Sequence, residues 1–304
     1  MSGDYVVYAL GSYPDSRAIP GLESYGNTLF DVQKVENARG AIKKTEIPRI
    51  LIGGGGLTAI ELASELAEAY PSAQIALVSG NGLNSNDGPG GLSPQASAYI
   101  RSALSRFGVE VRETVHVSSL EPGMAYLTSG DTLEFDFYFH AAGFIVPDLA
   151  RRSGLSVNED GRVLVDRSLR SVSHARILAV GDAALGSTAH GHPTRMSCAA
   201  ALPMGAFAAQ TLLALIENRE PSVAQIGYVV RNISLGRNDG LIQFLDEEDR
   251  PSNKIWTGKK AAKWKEFICR GTLSSIRFES APLMRQIPPL NLLPRMYRLN
   301  NQTK

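Results

Sequence analysis

Residues 50–61 read Ile50-Leu51-Ile52-Gly53-Gly54-Gly55-Gly56-Leu57-Thr58-Ala59-Ile60-Glu61. Three apolar residues run into four glycines. The segment TAIELASELAEAY then places Ile60, Ala63, Leu66 and Ala67 on one helical face. This is the pattern of a buried strand, a tight turn and a helix. Aligned on the helix it becomes Gly54-x-Gly56-x-x-Ala59, the GxGxxA form of the dinucleotide-binding turn. Gly54 permits the turn, Gly56 lets the backbone approach a pyrophosphate, and Ala59 lets the helix pack close to the strand. The helix N-terminus offers unpaired N–H groups and a positive dipole end to phosphates. A glycine turn without a ligand is the plain alternative, and a complete βαβ setting argues against it.

Outward from this turn the setting is complete. Gln74 to Ser79 (QIALVS) predicts a second strand, 94–107 a helix and 109–112 a third strand. Segments 115–120, 124–128 and 132–135 predict an antiparallel meander, and 136–142 a strand ending at Gly143. Residues 45–143 are therefore expected to form one βαβαβ unit with a ribbon insertion, an α/β architecture. Upstream, Asp4 to Leu10 is a short β-run ending at Gly11. A loop and a helix over 28–44 are expected after it. Downstream, 162–165 and 177–180 are expected strands, the second ending in Gly181-Asp182. A long apolar helix over 199–217 is expected next, then a small sheet over 226–258 with a turn at 236–240. An amphipathic helix over 259–277 and an irregular, proline-rich end from Pro282 complete the chain.

The composition narrows the chemistry. Of 304 residues 43% are hydrophobic and 20% charged, enough for sizeable cores. A formal charge of +1 argues against a broad nucleic-acid surface. Cys198 and Cys269 are the whole cysteine set, which excludes a disulfide scaffold, a cysteine zinc site and a dithiol centre within the chain. Cys198, at the start of an apolar helix, is expected to be packed. His190-x-His192 lacks further ligands at suitable spacing and reads as a surface loop. There is no G-x-S-x-G elbow. The start lacks a basic n-region, and the apolar stretch 198–216 is interrupted by Pro203, Gly205, Gln210 and Thr211. A soluble, cytoplasmic protein is the expectation.

Within the dinucleotide unit, the acid expected at the end of the second strand is replaced by Ser79, followed by Gly80 and Asn81. Without that acid to repel a 2′-phosphate, and without a Lys or Arg before Arg101, the cofactor stays NAD(P)H. Glu61 has two readings. One is a carboxylate favoured by the helix dipole, the other a group facing a nicotinamide ribose or a flavin edge.

The order VVYALGS, GGGGLTAIELA, AAG, ILAVGDAA resembles the pyridine nucleotide-disulfide oxidoreductase superfamily of two-dinucleotide flavoproteins, in its branch without redox cysteines. SLGRNDGLIQF (234–244) and the following WTGKKAAKWKEFICRGTL resemble the apoptosis-inducing-factor-like, mitochondrion-associated and ferroptosis-suppressor-like branch. The resemblance implies a Rossmann-type NAD(P)H-binding domain at 41–148, inserted in an FAD-binding domain formed by 1–40 and 149–217. A C-terminal α+β cap and basic tail would follow over 218–304. It implies that Gly181 and Asp182 contact FAD, that Gly11 lies close to it, and that the helix around Pro203 and Met204 faces the isoalloxazine. Gly143 would flank the nicotinamide crevice. It implies an oxidoreductase passing hydride from NAD(P)H to FAD and electrons to a quinone-like acceptor. Such proteins carry an earlier strand–GxGxxG–helix unit that this sequence does not contain before Asp4. The FAD domain is therefore expected to be partial, and a non-catalytic nucleotide-binding or regulatory protein is the rival reading.

Charge is uneven along the chain. Residues 259–304 hold ten Lys/Arg and two acids, beside an acidic remainder. Trp264, Phe267, Ile268 and Leu273 can share a helical face flanked by Lys259, Lys260, Lys263, Lys265 and Arg270. That face either packs on the cap or lies on an anionic membrane surface.

Overall fold

The computed structural model describes residues 3–83 and 90–280. The first half contains β1 (Val6–Tyr8), α1 (Leu22–Tyr25), β2 (Gly26–Thr28), α2 (Val32–Ile42), β3 (Arg49–Gly53), α3 (Leu57–Ala69), β4 (Gln74–Ser79), α4 (Pro94–Arg106), β5 (Glu110–Glu113), the strands β6 (Val117–Glu121), β7 (Met124–Leu127) and β8 (Thr132–Glu134), and β9 (Phe137–His140). Then come α5 (Leu149–Arg152), β10 (Val163–Leu164), β11 (Arg170–Ser171), β12 (His174–Ala179), β13 (Ala184–Leu185), α6 (Cys198–Ile216), β14 (Val230–Ser234), β15 (Gly240–Leu245), β16 (Pro251–Thr257) and α7 (Gly258–Ser280).

Five parallel strands in the order β2-β9-β3-β4-β5 form the main sheet. Its central strands are apolar on both faces, as a strand covered on both sides must be. Ile50 and Ile52 meet Ile60 and Ala63 of α3, Ile100 and Leu104 of α4, and Ala38 and Ile42 of α2 in one core. Leu51 and Tyr138 face the other side, against Val117, Leu120, Ala125 and Leu127 of the ribbon. Sequence order reverses between β3 and β9, so a crevice opens beyond their carboxyl ends. The expected βαβαβ unit with its ribbon is present. One edge departs from expectation: Gly26–Thr28 is a strand rather than loop, and α2 packs on the same core. Residues 26–42 thus lie with the main sheet, not with β1. The triplet Gly-Asn-Thr has no hydrophobic alternation. It is held by pairing on β9 and by the Asn27 side chain donating to the Tyr138 carbonyl at 3.1 Å.

A second layer is built on β1, β12 and β11, with β1 and β12 parallel. Its core joins Leu178, Ala179 and Val180 to Ala200, Met204, Phe207 and Ala208 of α6. By length and composition α6 could cross a membrane. Here Ala200, Pro203, Met204, Phe207, Ala208, Thr211 and Ala214 are buried in protein. Cys198 corrects the expectation of packing. As the first residue of α6 it lies off the buried face and is exposed.

The third layer is the antiparallel sheet β14-β15-β16 with α7 against it. Ile233, Leu235 and Leu241 share the core of the main sheet's helices. Glu61, Glu65 and Glu68, at helical spacing along α3, dock this layer. Glu61 accepts from the Ser234 N–H at 3.1 Å and pairs with Lys265. Glu65 pairs with Arg237 at 2.8 Å, and Glu68 accepts from the Arg237 N–H. The proline-rich end from Pro282 lies outside the described residues.

A buried ionic group joins all three layers. Asp249 lies 3.0 Å from the Arg195 Nε and 3.8 Å from Arg231. Arg231 also donates to the Gly91 carbonyl at 2.9 Å, and Arg195 stacks 3.8 Å from the Tyr228 ring centroid. Burial raises the Asp249 carboxyl above its ordinary value and lowers the Arg231 guanidinium to about 10. Removing one partner leaves an uncompensated buried charge. Asp249→Ala is expected to cost about 3–5 kcal/mol, read as a fall in the denaturant midpoint. A second test concerns acid. The Arg101 guanidinium holds the Glu113 carboxyl below its ordinary value of 4.5. That stabilisation is complete above 4.5 and is lost as pH falls through the lower folded value. Glu113→Gln should therefore flatten the acid limb of the melting-temperature profile.

Candidate functional site

Each glycine in the run 53–56 has its own neighbour. A Cβ on Gly53 would overlap the Tyr138 hydroxyl, and one on Gly55 would overlap Ser79 and the Gly82 carbonyl. Gly54 takes a φ of +141°, and a Cβ there would fall 2.6 Å from the Ala141 carbonyl oxygen. Internal packing thus accounts for three glycines. Gly56 differs: it caps α3 with no side-chain hydrogen bond and meets nothing within 4 Å. The space above it adjoins the start of α3, where backbone N–H groups lack helical acceptors. This is the geometry an approaching phosphate requires. Ala59 is fully buried, as close helix–strand packing demands.

Beside this turn lies a cavity lined by Ser12, Leu29, Phe30, Thr58, His140 and Gly143, among others. It occupies the crevice between the ends of β3 and β9. Gly143 turns there with φ +67°, its α-carbon facing open space. Gly11 has the same φ and the same open surroundings. Because β1 and β12 are parallel with Tyr8 opposite Ala179, the turns at 11–12 and 181–182 are neighbours. Ser12 Oγ donates to the Asp182 carboxylate at 2.7 Å. Gly181 has φ +67° and faces Ala201 of α6. Arg162, buried, fixes this edge by donating to the carbonyls of Asp182 at 3.0 Å and Ala184 at 2.6 Å.

Four expected site residues sit elsewhere. Ser79 is buried and donates to the Gly82 carbonyl at 2.6 Å, so its hydroxyl supports the turn from beneath. Glu61 does not face the crevice; it is engaged by Ser234 and Lys265 of the C-terminal layer. Pro203 and Met204 are buried in α6, and Met204 belongs to the second core instead of lining a face. Their places follow from helix phase, which sequence periodicity left open on a helix apolar nearly all round. Ser12, Thr58, His140 and Arg162 were missed. Ser12 follows a predicted strand-end glycine, and His140 is a polar residue in the apolar run FYFH, so both carried a local signal. The loop at 187–193 closes on itself, with the His192 N–H donating to Thr188 Oγ1 at 3.1 Å. Among the described residues no cluster of three metal-ligating side chains occurs.

The chain is similar to known proteins. An NADH dehydrogenase-like protein of Mycobacterium tuberculosis is 28% identical over 254 residues, covering 77% of this chain and 62% of that protein. A type II NADH:quinone oxidoreductase of Haemophilus influenzae is 25% identical over 219 residues, covering 68% of this chain and 46% of that one. The chain thus spans less than two-thirds of the length of these relatives. Among solved structures, NDH2 of Plasmodium falciparum in complex with NADH superposes with a TM-score of 0.73 at 11% identity, covering 88% of this chain and 74% of that chain. The family model for pyridine nucleotide-disulphide oxidoreductases matches residues 1–205. With the nucleotide turn, the switch-point crevice and two-thirds of its length accounted for in this way, the chain belongs to the pyridine nucleotide-disulphide oxidoreductase family.

Proposed function

We propose that this chain is an FAD-dependent NAD(P)H oxidoreductase with a quinone-like acceptor, of the apoptosis-inducing-factor-like branch. The observation that carries the reading is Gly56. It is the one glycine of the run left open by the protein's own packing, at a helix N-terminus beside the switch-point crevice. The nucleotide unit is residues 41–148 together with β2 and α2. The FAD unit includes the rest of 1–40 with 149–217, and the cap is 218–304. The relatives' names support a nicotinamide donor and a quinone acceptor.

Bound flavin and reduced nicotinamide supply the hydride and electron transfer themselves. The protein's part is to bind, align and exclude water. Gly56 and the first N–H groups of α3 would hold the pyrophosphate, with Gly54 making the tight turn that brings them there. Gly143 and Thr58 border the nicotinamide end. Gly11, Ser12, Gly181 and Asp182 hold the FAD, with Asp182 aimed at a sugar or ribitol hydroxyl. Pro203 and Met204 support α6 from within. In this scheme no side chain among the described residues needs to act as nucleophile or base.

The acceptor reading extends to the membrane. Trp264 is 43% and Phe267 66% exposed on α7, next to an edge-on stack with Trp256, and the Lys260 ammonium lies 4.3 Å from the Trp256 ring. Ala261 and Lys265 of the same helix face inward. Exposed aromatic rings with basic flanks suit an anionic headgroup region. The Leu273 side chain, expected on this face, is outside the described residues. A cytoplasmic protein in peripheral contact with a membrane fits both features.

Purified chain incubated with FAD should acquire a flavin spectrum and oxidise NADH or NADPH with a water-soluble quinone. A protein that stays colourless and oxidises neither overturns the reading in favour of a regulatory nucleotide binder. Gly56→Ala should weaken NADH binding about tenfold or more, about 1.4 kcal/mol, with an unchanged melting temperature. Gly55→Ala should lower the melting temperature itself. Binding to anionic vesicles should weaken with salt and fall when Lys259, Lys260 and Lys263 become Glu. Indifference to such vesicles at low salt would leave α7 a structural helix.

A further inference from the structure

Two buried polar side chains on β9 have no part in the scheme above. Tyr138 and His140 are two residues apart and so share a face of the strand. Tyr138 is 0% and His140 6% exposed. The Tyr138 hydroxyl lies 3.1 Å from His140 Nδ1, in the space under Gly53 that a side chain there would fill. Burial raises the phenol, so it keeps its proton. Burial also lowers the imidazole below 6.5, so it is neutral and accepts that proton's hydrogen bond at Nδ1. The His140 side of this pair reaches the cavity, whose wall it shares with Gly143. The charged group facing the ring from another element is Asp15, on the loop after β1.

The segment 141–145 needs such a tie. Its backbone is anchored at one end by the Ala141 N–H to the Gly53 carbonyl at 2.8 Å, and at the other by the Ile145 N–H to the Tyr13 carbonyl at 2.9 Å. Between these ends Gly143 turns through a left-handed conformation at the cavity wall. An unpaired buried hydroxyl would be costly, so the Tyr138 hydroxyl and the His140 ring hold each other in place at the end of β9.

We propose that His140 is a positioning residue: the Tyr138 hydroxyl, seated under Gly53, holds the His140 imidazole at the end of β9, fixes the 141–143 turn against the glycine run, and so sets the wall on which the nicotinamide half of NADH rests. The proposal rests on the crevice being the NADH site.

The test uses the whole chain and NADH, with affinity read by fluorescence titration at about pH 7.5 and hydrogen exchange read at the 141–145 amides. Tyr138→Phe keeps the ring and removes only the donor; it should raise the NADH Kd about tenfold and speed exchange at 141–145. His140→Gln keeps an acceptor for the Tyr138 hydroxyl; it should stay within about threefold of wild type. His140→Ala removes that acceptor and should follow Tyr138→Phe in both readouts. If it fails to fold, the Phe and Gln variants carry the comparison. Unchanged exchange in Tyr138→Phe, or a His140→Gln variant as weak as Tyr138→Phe, overturns the proposal. A wild-type chain that does not bind NADH overturns the nucleotide reading instead, and the exchange measurement still decides whether the Tyr138–His140 pair holds the turn.

Discussion

The crevice depends on a close approach between the ends of β3 and β9. There the Tyr138 hydroxyl and the Ala141 carbonyl press into positions that only glycine can occupy. Two strands of a parallel sheet sit roughly 4.8 Å apart, and side chains at their ends would normally hold the following loops away from each other. Removing those side chains at Gly53 and Gly54 lets the two loops meet. The crevice, the open face of Gly56 and the placement of Gly143 all depend on that meeting. A glycine run often read as a ligand signature is thus first a packing device, and its ligand-facing part is one residue long.

The polar interior follows the same economy. Asp249, Arg195 and Arg231 form an ionic group where three layers touch, with Tyr228 covering one guanidinium. Apolar residues of the same volume would hold the layers together about as well. What charges add is direction, since each partner must reach one particular carboxylate. Arg162 does the same on a smaller scale, spanning the carbonyls of Asp182, Ala184 and Thr194 so that the Asp182 turn has one conformation.

Much of this was readable from the residues. The strand–turn–helix at 50–61 has a hydrophobic period that changes from a continuous run to helical spacing across the glycines, and nothing else fits that change. The ribbon, the 236–240 turn and the last helix were legible through turn residues and amphipathic spacing. Gly26–Thr28 was not, because an edge strand three residues long is held by its neighbour and carries no pattern of its own. The places of Cys198, Glu61 and Met204 were not decided by spacing, for a common reason. Composition says that a helix has a buried side, but its rotation is decided by partners more than a hundred residues away. For Glu61 those partners are Ser234 and Lys265, whose approach no local spacing reveals.

The three glutamates along α3 have a consequence for the energetics of recognition. A helix whose first turn receives a phosphate would ordinarily lose freedom when the phosphate arrives, and that loss would subtract from affinity. Here Glu61, Glu65 and Glu68 are already tied to the C-terminal layer along the length of the helix. The entropy of immobilising α3 has therefore been lost during folding, before any nucleotide is present. The C-terminal sheet, although it does not touch the crevice, acts as a splint that preorganises it.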